Sequence, residues 1–129
     1  MDHDIGSNFT ITDGLPALSR TVDTYYTASI DHKGGVKAAY HLSLGSFATS
    51  CVATLQHSSD DGDADAFVDE ADATYKNTVS VTLTTAGEGE INVPNPRERY
   101  TRVKLVLGGT SVASITNIKG PLDAIYPSS

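Results

Sequence analysis

The sequence predicts an all-β sandwich. Apolar residues recur at every second position in several short segments, which is the period of a strand. Thr, Ser, Val and Gly are abundant, and the one helical signal is a short turn near Val68 to Thr74. Turn signals break the chain roughly every 8–12 residues, a spacing typical of sandwiches. With 129 residues the chain reads as one domain, long enough to bury a core without staples.

The segment from Arg99 to Lys119 organises the rest. Val103, Leu105 and Leu107 alternate with Arg102 and Lys104, so one face is apolar and the other charged. Gly108 and Gly109 can take the positive φ of a tight turn, and 111–119 again has strand composition. The pattern predicts a long hairpin.

From the start, residues 1–20 mix glycine, proline and polar residues. They predict an irregular arm with one short strand near Phe9 to Thr12. The sandwich domain is placed at 21–120 and a tail at 121–129. Between Thr21 and Asp31, Val22, Tyr26, Ala28 and Ile30 fall on one face, with Tyr26 read as core, and Tyr25, Thr27 and Ser29 on the other. Lys33-Gly34-Gly35 is a turn signal. Val36, Ala38, Tyr40, Leu42 and Leu44 then alternate with Lys37, Ala39, His41 and Ser43. Thr49 to Ser58 puts Cys51, Ala53, Leu55 and His57 on one face. Asn77 to Thr85 points Val79, Val81 and Leu83 inward. Ile91 and Val93 form a short strand that Pro94-Asn95-Pro96 ends, since proline cannot donate to a ladder. The count is seven or eight antiparallel strands in a jelly-roll-like sandwich.

The net charge of −7 argues against nucleic acid as a partner, because phosphate binding needs a basic face. No stretch approaches the ~20 apolar residues of a membrane span. The start lacks the basic and apolar regions of a signal peptide, so none is expected. A single Cys51 excludes an internal disulfide and fits synthesis in a reducing cytoplasm. It shares a strand face with Ala53 and Leu55, as a buried thiol acting as a small hydrophobe would.

No nucleophile elbow, phosphate loop, dinucleotide fingerprint or paired-histidine metal spacing appears. The sharpest chemical feature is acidic: Asp60, Asp61, Asp63, Asp65, Asp69, Glu70 and Asp72. Of these, Asp61, Asp63, Asp65, Asp69 and Asp72 fall on the ligand slots of an EF-hand-type calcium loop. Ala66 stands where that loop needs glycine, Asp72 is shorter than the expected glutamate, and no amphipathic helices flank it. A solvated acidic loop is the plainer reading, so no cofactor is expected, with calcium the one metal to consider. Basic residues gather elsewhere, at Arg97, Arg99, Arg102 and Lys104. With Tyr25 and Tyr100 they are the candidate interface, and complementary patches favour ordered association.

Three runs carry a family likeness. Tyr25-Tyr26-Thr27-Ala28-Ser29-Ile30-Asp31, the segment Leu55 to Gly62, and Arg99 to Leu105 followed by Gly108-Gly109-Thr110 resemble small bacteriophage head-decoration, or cement, proteins. The likeness spans roughly residues 20–120, and the longer acidic loop here departs from it. The resemblance implies a jelly-roll-like sandwich on the outside of a virion capsid, often a homotrimer, bound to the major capsid protein and clamping neighbouring capsomers. It implies no catalysis. Two other classes compete with this reading. A carbohydrate-binding module would also be a β-sandwich, but the chain has no tryptophan and could offer only Tyr25, Tyr26 and Tyr100 as sugar platforms. A hydrolase or isomerase would need nucleophile–base spacings that the sequence does not display.

Overall fold

The computed structural model describes residues 10–21, 23–33, 36–45, 51–70, 77–84, 86–109 and 111–120. In chain order the strands are β1 (Thr10–Arg20), β2 (Asp23–Tyr26), β3 (Ile30–Asp31), β4 (Lys37–Leu44) and β5 (Cys51–Ser58). They continue as β6 (Val68–Asp69), β7 (Ser80–Leu83), β8 (Gly87–Val93), β9 (Tyr100–Leu107) and β10 (Ser111–Gly120). They form two antiparallel sheets. One is ordered β1-β10-β4-β8. The other is ordered β2-β9-β5-β6, with β3 also on β9 and β7 also on β5.

The pairing is nested. First pairs with last, β1 with β10; β2 and β3 pair with β9; β4 pairs with β8; β5 pairs with β6 and β7. A long antiparallel ribbon rolled into two layers has this order, which is that of a jelly roll. β2 with β3, and β6 with β7, each share one ribbon position, so ten pieces fill eight positions.

Local turn signals marked some strand ends, such as those of β8 at Pro94 and β9 at Gly108, but not strand partners; Gly87 and Gly89, expected to flank a turn before a short strand, lie inside β8 and pair with β4. Gly108-Gly109 does not close a hairpin: β9 ends in one sheet and β10 begins in the other. The chain likewise changes sheet between β3 and β4, across the Lys33-Gly34-Gly35 signal. The expected irregular arm is an edge strand from residue 10 to 20, bent by register shifts between Asp13 and Leu15 and between Leu15 and Leu18. Pro16 is tolerated there because it lies at an irregularity of an edge strand. Residues 1–9, the tail 121–129, and 71–74 of the turn expected after Val68 lie outside the described residues.

The two sheets close on one core. Tyr40, Leu42, Leu44, Ile91, Val93 and Ile115 come from one layer, and Cys51, Leu55, Val103, Leu105 and Leu107 from the other. Burying each large side chain contributes about 1.5–3 kcal/mol. Tyr26 does not join them: it is 47 % exposed, while Tyr25 packs against the core. The cause is a bulge. Tyr26 lies opposite Lys104 and Ile30 opposite Thr101, so three residues on one strand face two on the other. The Thr27 N–H bonds Val103 O, and Thr27 Oγ1 accepts the Val103 N–H at 2.9 Å. The extra residue reverses the alternation, and Ala28 is exposed. The bulge also ties the layers: Ala28 N–H donates to Gly14 O, and Asn117 Nδ2 donates to Ala28 O.

Candidate functional site

Strand register builds the outer face of the six-stranded sheet. Gln56 lies opposite Arg102 on one side and Asp69 on the other, and Lys104 opposite Tyr26. Neighbours at these spacings can touch, and a polar chain results. Arg102 Nε donates to Gln56 Oε1 at 2.8 Å, Gln56 Nε2 to Asp69 Oδ1 at 2.9 Å, and Lys104 Nζ to Asp69 at 3.0 Å. The Gln56 bond, aided by Lys104, holds the Asp69 carboxyl below the usual range against the opposing effect of burial.

Arg102 is held between two rings. Its guanidinium carbon lies 4.1 Å from the Tyr26 ring centroid and 4.3 Å from that of Phe67, within cation–π range. Beside it opens a pocket of about 460 Å³ lined by Thr27, Ser29, Asp61, Gly62, Ala66, Phe67 and Arg102.

One wall of that pocket is the acidic loop, and its shape has local causes. Ser58 Oγ accepts the N–H of Gly62 at 2.9 Å and donates to Asp65 O at 2.6 Å. Asp60 accepts the N–H groups of Ala64 and Asp65, which lowers its carboxyl pKa. Asp65 accepts the N–H and hydroxyl of Ser59. Asp61 and Gly62 are both left-handed, with φ of 62° and 83°. At Gly62 space is also tight, since a Cβ would meet the Phe67 ring at 3.1 Å and the ring would have to shift.

The EF-hand-like spacing does not become a cage among the described residues. Asp65 is bound to the loop's own donors and Asp69 to Gln56 and Lys104, while Asp61 and Asp63 are exposed. No group of three potential metal-binding side chains forms among the described residues. Asp72 lies outside them.

The expected basic cluster is largely paired within the chain. Arg97 Nη1 donates to the buried Glu70 at 2.6 Å. Arg99 grips Asp31 with two bonds of 2.9 Å and lies 5.0 Å from the Tyr100 ring centroid. That grip lowers the Asp31 carboxyl to about 2 and raises Arg99. Lys104 is paired with Asp69. Tyr25 donates to Thr21 O and lies beneath Arg20. Of the six interface candidates, only Arg102 opens onto the pocket.

Sequence reasoning does not reach Gln56 or Phe67, and it offers Tyr26 only as a core residue or a sugar platform, not as a partner of Arg102. Phe67 carried a usable signal: an aromatic residue inside an acidic loop must be covered by something. Tyr26 was hidden by the bulge, and Gln56 by its ordinary place in a strand.

The fold has a counterpart among solved structures. The chain is similar to a structure of Bacillus endospore appendages, a family of disulfide-linked pili, with 10% sequence identity, a TM-score of 0.50 and 88% of each chain covered. It also aligns with the coat protein dimer of Tobacco streak virus at 7% identity and a TM-score of 0.38, covering 89% of this chain and 88% of that one. No family model and no curated protein matches the sequence.

Proposed function

We propose that this chain is a structural subunit of a protein shell, and specifically a decoration protein on the outside of a phage head. The observation that carries the reading is that each sheet leaves large apolar side chains exposed. Along the β1 edge lie Ile11 and Leu18, 59 % and 56 % exposed, with Val112 on the adjacent strand. On the other sheet lie Tyr26, Val68 and Val106, all exposed. An edge strand is a template for pairing with another chain. A sandwich with exposed apolar side chains on both sheets can touch more than one neighbour. The β1 edge would serve self-association, most simply a closed trimer. The other face would rest on the major capsid protein. Many modest contacts of this kind raise shell stability through multivalency. The jelly-roll fold and the resemblance of Tyr25–Asp31, Leu55–Gly62 and Arg99–Leu105 to head-decoration proteins support the reading. The role calls for no cofactor and no catalysis.

The test is co-sedimentation with capsids assembled from any major capsid protein found encoded beside this gene. Binding should raise the temperature at which those capsids rupture. Leu18→Asp should disperse the oligomer, and Val106→Asp should weaken capsid attachment. A protein that stays monomeric at high micromolar concentration and does not sediment with capsids overturns the proposal.

A further inference from the structure

The pocket beside Arg102 has the features of a ligand site, independently of any role in a shell. Its volume, about 460 Å³, falls within the ~300–1,000 Å³ of small-molecule pockets, and it opens broadly to solvent. Arg102 is fixed on three sides: Tyr26 and Phe67 cover its faces and Gln56 holds Nε. Its two terminal nitrogens have no hydrogen-bond partner among the described residues. A guanidinium fork held in this way matches a carboxylate, which can take two parallel bonds.

The rest of the lining narrows the class. Thr27 and Ser29 bring hydroxyls, and Thr27 Oγ1 is already positioned by the Val103 N–H. Asp61 brings a carboxylate that accepts from hydroxyl groups and repels a second negative charge. Phosphate, with close to two charges, and a multiply acidic peptide are both disfavoured by that group. Ala66 and Phe67 supply an apolar edge suited to C–H groups. The wall is built in advance, because Ser58 clamps the left-handed Asp61-Gly62 turn. Preorganisation of this kind lowers the entropic cost of binding.

We propose that the Arg102 pocket binds a small acid with one carboxylate and several hydroxyls, the chemistry of a uronic acid. The carboxylate sits on the Arg102 fork, and the hydroxyls reach Asp61, Ser29 and Thr27.

The experiment is an NMR titration of the whole chain with sodium glucuronate, following the Arg102 side-chain N–H and the Gly62 amide. Glucose, acetate, inorganic phosphate and a glutamate-rich peptide are the comparison probes. Saturable shifts at both positions in the millimolar range are expected. Glucose and acetate should each bind at least about tenfold more weakly, because each lacks half of the recognised chemistry. Arg102→Lys keeps the charge but not the fork, and should also weaken glucuronate by about tenfold or more. Ser29→Ala, at a position outside the core, should weaken it several-fold with the rest of the spectrum unchanged, and gives a readout if Arg102→Lys perturbs the sheet. Absence of saturable shifts overturns the proposal. So does acetate binding as tightly as glucuronate, or unchanged affinity in both variants. Tighter binding of phosphate or of the peptide at these residues overturns the sugar-acid assignment.

Discussion

The Tyr40 hydroxyl of one sheet lies 2.6 Å from Thr101 Oγ1 of the other, deep in the core. His32 extends the contact: its Nε2 is 2.7 Å from the same Thr101 oxygen and its Nδ1 is 2.8 Å from Val36 O. A carbonyl can only accept, so Nδ1 carries the ring proton. In the neutral ring Nε2 then accepts from Thr101, and Thr101 accepts from Tyr40. The proton order of the whole chain follows from one backbone oxygen.

Thr101→Val should therefore be costly. It orphans the Tyr40 hydroxyl and His32 Nε2, and each buried unpaired group costs about 1–3 kcal/mol. Tyr40→Phe leaves the Thr101–His32 bond in place and should cost about 1 kcal/mol. Urea unfolding of both variants and of the double mutant checks this. Additive losses would mean that the three groups do not act as one network.

Stability should fall as pH drops below 6.5. Burial lowers the His32 pKa from its ordinary 6.5, so below that value the unfolded chain binds a proton that the folded chain refuses. His32's contribution is complete above the unfolded value and is lost as pH falls toward the folded one. His32→Gln should flatten the slope of stability against pH in this window. An unchanged slope would remove His32 as its source.

Asp31 should titrate at about 2, because Arg99 bonds its ionised form. Its contribution to stability is present above the ordinary 3.8 and is lost as pH falls to about 2. Carbon-detected NMR of the carboxyl reads the midpoint directly. Arg99→Gln should return it toward 3.8, and high salt should do so in part.

Cys51 is fully buried, and burial raises its thiol pKa. Thiol reagents should label it only in denaturant. Cys51→Ala should lower stability by about 1 kcal/mol through lost packing. Rapid native labelling would contradict the placement of this strand.

Gly14→Ala should weaken the tie between the layers. A Cβ there would lie 2.0 Å from Asn117 Oδ1, and Asn117 holds Ala28 O. Forced displacement of a packed group costs about 1–3 kcal/mol. In an Asn117→Ala background the same substitution should cost much less, as thermal unfolding of the pair can show.

Side-chain alternation made the strand interiors legible. Val103, Leu105 and Leu107, and Tyr40, Leu42 and Leu44, are core residues as their spacing required. Partner choice was not legible, because Gly108-Gly109 supports a turn within a sheet or between sheets equally well. The bulge at Thr27–Ser29 was also hidden. Nothing in Tyr25-Tyr26-Thr27 announces an extra residue, and one such residue exchanges the two faces. The site suffered for the same reason. Arg102 was visible as a charged residue on a strand exterior, but Tyr26 had been assigned to the core. Gln56 and Asp69 meet it only through the pairing of β5 with β9 and β6.

The nested pairing also has a kinetic meaning. β10 sits between β1 and β4, so the four-stranded layer has no continuous centre until the last hundred or so residues have followed the first strand out of the ribosome. Joining ends so far apart in sequence is slow, since loop closure must precede any reward from contact. Emergence of β10, rather than of any earlier strand, should start productive folding of this layer. A chain truncated before Ser111 would leave one backbone edge of β4 and the whole ladder of β1 without a strand partner, exposed to whatever else is being made nearby.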